Sequence, residues 1–118
     1  MAFIKLYRKK LQENYAFLDD VFKSRDIQWG VVSKLLCGNK IYLKEIIALG
    51  VREIHDSRVS NLKKIKALDP GIQTVYIKPP AKRSIENIVR YADISFNTEV
   101  YTIQLLSDEA VRQNKVHK

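Results

Sequence analysis

Short runs of β-branched residues alternate with amphipathic stretches along this chain, and no other feature limits its possible folds as strongly. The runs that read as strands are Phe3–Tyr7, Ile27–Ser33, Val51–His55, Thr74–Lys78 and Ile94–Phe96. Between them, apolar residues recur at three- and four-residue spacing, which places them on one face of a helix. Leu11, Tyr15, Leu18 and Phe22 mark the first helix, and Leu43, Ile46 and Ile47 the second. Val59, Leu62 and Ile65 mark the third, Ile85, Ile88 and Val89 the fourth, and Val100, Ile103, Leu106 and Val111 the fifth. Punctuation agrees: Asn39, Ser57, Ser84 and Asn97 can each cap the helix that follows, and Gly50 stands where a left-handed helix end is wanted. Pro79-Pro80 stops the strand before it.

Strict alternation of strand and helix implies a parallel sheet with right-handed crossovers. The last four strand starts recur at roughly 20 to 23 residues, a compact unit. An eight-unit barrel takes about 250 residues, so four such units make half of one. The expected fold is therefore α/β: a partial TIM-type β/α barrel of about four parallel βα units, preceded by a lead-in strand and helix. An open, doubly wound sheet is the competing arrangement, but its Gly-rich first turn is missing among the four glycines. Residues 1–118 read as one unit, about half of such a barrel. A half barrel leaves strand edges and an inner face open, so a homodimer or larger assembly is expected.

Composition narrows the function classes. Hydrophobic residues make up 46% and charged residues 29%, an ordinary globular balance. No apolar run approaches the roughly 20 residues of a membrane span, and the opening Met1–Leu6 is too short for a secretory signal core. One cysteine, Cys37, excludes an internal disulfide and fits a reducing compartment, so a cytoplasmic location is expected. The net charge of +8 raises the question of nucleic acid. The basic residues fall in small groups (Arg8-Lys9-Lys10, Lys63-Lys64 with Lys66, Lys82-Arg83), each beside a helical stripe, which reads as solvated helix faces. No nucleic-acid partner and no membrane partner is expected.

In parallel α/β folds, the working residues sit at the carboxyl ends of the strands. Those ends hold Lys34 with Cys37-Gly38-Asn39, then Asp56-Ser57-Arg58, then Lys78, then Ser95 and Asn97. Lys34 follows an apolar strand whose Val31 and Val32 should be buried. Desolvation and neighbouring cations there would favour the neutral amine, the form that attacks an aldehyde. Cys37 reads as a small packing residue. His55 and His117 have no ligand partners at metal-binding spacing, so no metal site is expected.

The segments Val32-Ser33-Lys34-Leu35-Leu36-Cys37-Gly38-Asn39, Asp56-Ser57-Arg58-Val59-Ser60-Asn61-Leu62-Lys63-Lys64 and Tyr91–Glu99 carry a resemblance. In this order and spacing, the chain resembles the amino-terminal half of the alanine-racemase-like (fold-type III) pyridoxal-phosphate enzymes, nearest the ornithine racemase branch. The resemblance implies that Lys34 forms the internal aldimine with pyridoxal 5'-phosphate. It also implies that Asp56, Ser57, Arg58 and Asn61 lie at the barrel mouth near the cofactor or a small amino-acid substrate. Lys78 stands where that branch usually has an arginine, and lysine lacks the rigid two-pronged donor. The phosphate-binding strands and the opposite-face acid–base residue are implied to lie elsewhere in a longer enzyme. The implied activity is racemisation of an amino acid. The alternative is a cofactor-binding homeostasis protein that shares the lysine but performs no turnover.

Overall fold

The computed structural model describes all 118 residues. Its regular elements are α1 (Arg8–Lys23), β1 (Val31–Val32), α2 (Lys40–Ala48), β2 (Glu53–Asp56), α3 (Val59–Leu68), β3 (Gln73–Tyr76), α4 (Ile85–Tyr91), β4 (Ile94–Ser95) and α5 (Val100–Arg112). Single 3-10 turns, Lys34–Leu36 and Lys82–Ser84, precede α2 and α4. The four strands form one parallel sheet in the order β1-β2-β3-β4, as expected of a partial β/α barrel.

Paired residues in a parallel ladder point to the same side of the sheet, so the register divides the two faces. Val31 pairs with Ile54, Ile54 with Thr74, Asp56 with Tyr76, and Tyr76 with Ser95. This set faces the helices, where Val31, Ile54 and Tyr76 join the hydrophobic cluster. Leu43, Ile54, Leu62, Ile65 and Ile88 are completely buried there. Each such side chain contributes about 1.5–3 kcal/mol relative to exposure. The opposite set, Val32, His55, Val75 and Ile94, lines the other face, where Val75 on the inner strand β3 is buried and Val32 on the edge strand β1 is half exposed. Phe96 continues that face and meets the His55 ring edge-on, centroids 6.1 Å apart.

Local signals account for the elements. The Asn39 side chain accepts from the Ile41 and Tyr42 amides and starts α2 (2.9 and 3.4 Å). Gly50 adopts φ +91 after α2, the left-handed end expected of it. Leu62 and Ile65 of α3 and Ile85, Ile88 and Val89 of α4 are buried on the expected stripes.

Several expectations are corrected. Phe3–Tyr7 forms no strand; the Tyr42 hydroxyl instead donates to the Ile4 carbonyl (2.7 Å). The strand expected at Ile27–Ser33 shrinks to Val31–Val32. Just before it, Trp29 turns toward α1, stacking near Tyr15 and Phe22 and donating to Asp19 (3.2 Å). Val32 is not buried but half exposed, because it lies on the edge strand β1, while Val75 on the same face of the inner strand β3 is buried. Of the α1 stripe, Leu11 and Tyr15 pack against the core while only partly buried, Phe22 meets Trp29, and Leu18 is exposed. On α5, Leu106 and Ala110 are buried while Val100, Ile103 and Val111 are exposed, so the contact stripe is narrower than the spacing implied. Ser57, Ser84 and Asn97 cap no helix: α3 and α4 begin after Arg58 and Ser84 without a side-chain cap, and α5 begins only at Val100.

The last residues run along the free edge of β4. The Lys118 amide donates to the Asp93 carbonyl and the Ser95 amide to the Lys118 carbonyl (3.0 and 2.9 Å), a parallel pairing. No helix is long and apolar enough to cross a membrane.

Candidate functional site

The carboxyl ends of β1 and β2 hold the two segments that the sequence singled out, and side-chain contacts join them. Ser33, next after β1, lies on the same face as Val31 and is 1% exposed. Its amide donates to the His55 carbonyl (2.9 Å) and its hydroxyl to the Asp56 carboxylate (2.9 Å). Asp56 ends β2 and is completely buried. Its other oxygen accepts from the Arg58 amide (2.9 Å) and from Asn61 Nδ2 (3.1 Å). Three donors thus surround one buried carboxylate, which is how a buried acid avoids a large desolvation penalty.

The same network reaches the turn after Lys34. Cys37 and Gly38 both take positive φ (49 and 67), turning the chain into α2. A Cβ on Gly38 would stand 2.5 Å from Asn61 Oδ1, so only glycine leaves room for that side chain. Lys34 therefore sits between two residues, Ser33 and Gly38, that both contact the second motif.

Lys34 opens the 3-10 turn and is exposed, so the desolvation expected of it is not supplied by these 118 residues. Cys37 is exposed rather than packed, because its left-handed backbone turns it outward before α2. Arg58 is exposed and Ser57 half-buried at the same end of the sheet, whereas Asp56 and Asn61 point inward. Lys78 is exposed two residues beyond β3. Tyr76, buried beside this end, has its hydroxyl pKa pushed up by burial and stays protonated.

Ser95 and Asn97 belong to a separate cluster at the end of β4. His117, which the sequence offered as an isolated residue, is carried there by the segment along the β4 edge. Its Nδ1 lies 3.1 Å from the Ala92 carbonyl, which can only accept, so Nδ1 carries the proton. Nε2 then accepts from the Ser95 hydroxyl (2.7 Å), and Asn97 Nδ2 donates to that same hydroxyl oxygen (3.0 Å). Burial pushes the His117 pKa down, against the opposing effects of the Ala92 carbonyl and Asp93, so the ring is held neutral. Asn97 Oδ1 is buried with no partner.

Two contributors were quoted within the motifs but not nominated as site residues, Ser33 and Gly38. The strand period places residue 33 on the face of Val31, a readable signal for Ser33. The close approach of Asn61 to Gly38 depends on tertiary contact and left no mark in the sequence.

No family model matches the chain. Ornithine racemase from Acetoanaerobium sticklandii is 34% identical to it over 108 residues, 92% of this chain. The chain spans 30% of the length of that relative. That likeness supports a relationship to racemases for the α/β unit that carries Lys34.

Proposed function

We propose that these residues form the lysine-bearing part of a pyridoxal-phosphate-dependent amino-acid racemase acting on ornithine or a similar amino acid. The observation that carries this reading is the placement of Lys34 at the carboxyl end of β1, exposed and bracketed by Ser33 and Gly38. The likeness to ornithine racemase supports the substrate class.

The residues fit the cofactor in one respect. A primary amine stands exposed at the carboxyl end of the sheet, and the nearby Asp56 carboxylate is engaged by Ser33, Arg58 and Asn61 rather than by it. Pyridoxal phosphate, when bound, supplies an electron sink that eases loss of the proton on an amino acid's α-carbon. Lys34 is the residue that would hold it, through its ε-amine. The same amine is suited to take or return a proton at the substrate α-carbon on one face. Arg58, exposed at the same end, offers a planar guanidinium to the substrate carboxylate. Lys78 offers a single ammonium, a less directional contact.

The test is racemisation of each ornithine enantiomer by the full-length protein, followed by chiral separation. Interconversion that requires added pyridoxal phosphate and is lost in Lys34→Ala is expected. Undiminished interconversion in Lys34→Ala overturns the reading.

A further inference from the structure

We infer that Asp56 and Asn61 are positioning residues for Lys34 rather than contacts for substrate. The inference rests on the role proposed above for Lys34. Asp56 is completely buried and Asn61 is 3% exposed, so neither side chain is open to a ligand at the mouth. Apart from the Arg58 amide bond to Asp56, the side-chain contacts they make lead back to the lysine turn. Asp56 holds Ser33, the residue before Lys34, through the 2.9 Å hydroxyl bond. Asn61 donates to Asp56 at 3.1 Å, and its Oδ1 fills the space above Gly38, four residues after Lys34.

Between these anchors the turn is held by Leu36, which packs partly buried against the core, and by its own backbone. Its backbone bonds are short-range: Leu36 to Ser33 (2.9 Å), Cys37 to Lys34 (3.2 Å) and Asn39 to Leu36 (2.9 Å). Such bonds open easily unless the residues that carry them are fixed from outside. The second motif supplies that fixation from a neighbouring strand and helix, which have their own buried core. Of the Asp-Ser-Arg-x-x-Asn motif, exposed Arg58 and half-buried Ser57 are then the members left to meet a ligand.

Chemistry separates Asp56→Asn from the other variants. An asparagine at 56 can still accept from Asn61 and the Arg58 amide with its oxygen. Its amide group can donate to Ser33 Oγ, whose hydroxyl then turns to the His55 carbonyl, already 3.4 Å away. Asn61→Ala and Ser33→Ala have no such replacement.

Two measurements on the full-length protein test this. The first is amide hydrogen exchange without cofactor, comparing Leu36, Cys37 and Asn39 with Ile88 and Val89 in α4. In Ser33→Ala and Asn61→Ala the turn amides are expected to exchange on the order of tenfold faster while the α4 amides keep their protection. The second is the rate at which pyridoxal phosphate with borohydride labels Lys34, expected to fall on the order of tenfold in the same variants. Asp56→Asn is expected to stay near the parent in both. Unchanged exchange and labelling in Ser33→Ala, the mildest change, overturn the inference, as does a loosened turn in Asp56→Asn. Should Asn61→Ala lose α4 protection as well, Ser33→Ala decides alone. Labelling of a different lysine in the parent refutes the role proposed for Lys34, while the exchange measurement still decides what holds the turn.

Discussion

Gly38→Ala probes the contact between the two motifs most sharply. At φ +67 an alanine costs about 1–2 kcal/mol in backbone strain alone. Its Cβ would also stand 2.5 Å from Asn61 Oδ1 and 3.1 Å from both Asn61 Cγ and Lys64 Cδ. The lysine stem can move, but Asn61 is 3% exposed and has no vacant direction. Displacing it breaks its bond to the Asp56 carboxylate, worth about 1.5–3 kcal/mol. The sum is a destabilisation of about 2.5–5 kcal/mol. Gly50→Ala is the matched control, because Gly50 has φ +91 but an added Cβ meets nothing within 4 Å. It should lose only the backbone part, about 1–2 kcal/mol. Urea denaturation at constant m-value gives both numbers. Combining Gly38→Ala with Asn61→Ala should recover about 1–2 kcal/mol relative to additivity, since the obstructing side chain is then gone. Equal losses in the two glycine variants, or strict additivity in the double variant, would refute the steric argument.

Protonation of His117 opposes folding, because its folded pKa lies below its unfolded value of 6.5. The stability it contributes is complete above pH 6.5 and is lost as pH falls through the depressed folded value. Denaturation between pH 7.5 and 5, roughly spanning that window, should show this loss in the parent and a flatter profile in His117→Asn. Asp93 acts lower on the pH scale. Burial pushes its carboxyl pKa up, but Lys66 Nζ at 2.7 Å and the Thr74 amide at 2.8 Å outweigh it and leave the pKa below 3.8. Its contribution is therefore present above pH 3.8 and lost as pH falls through the lowered value. Lys66→Met should cost about 1 kcal/mol at neutral pH, a value discounted for the partial exposure of Asp93. The same variant should show a smaller acid-side loss in urea denaturation; an unaltered acid limb would contradict the assignment.

The alternation of β-branched runs and helical stripes revealed the parallel sheet because both periods depend on local sequence. Leu62, Ile65, Ile88 and Val89 read correctly for that reason. Strand length did not follow from the same signal. Val32 looks like a core residue in sequence, yet it stands on the edge strand, and pairing alone decides how far β1 extends. The stripe on α1 was equally visible, but an amphipathic face says nothing of which element it meets. At the candidate site, the residue types of both motifs were readable, and so was their placement at strand ends. Which of them turn inward was not. Asp56 and Asn61 are hydrophilic residues on a strand end and a first helical turn, and only the packing of Gly38 and Ser33 against them buries them. His117 was set apart because 22 residues separate it from Ser95; backbone pairing along the β4 edge closes that distance.

Covalent capture of the cofactor decides most directly whether Lys34 carries the chemistry. The full-length protein is incubated with pyridoxal phosphate, reduced with borohydride, digested and mapped by mass spectrometry. The expected result is a single dominant tag on the peptide that contains Lys34, absent in Lys34→Ala and weakened but retained in Lys78→Ala. A dominant tag on Lys78, or label spread evenly over the surface lysines with Lys34 no more reactive than the rest, would contradict it.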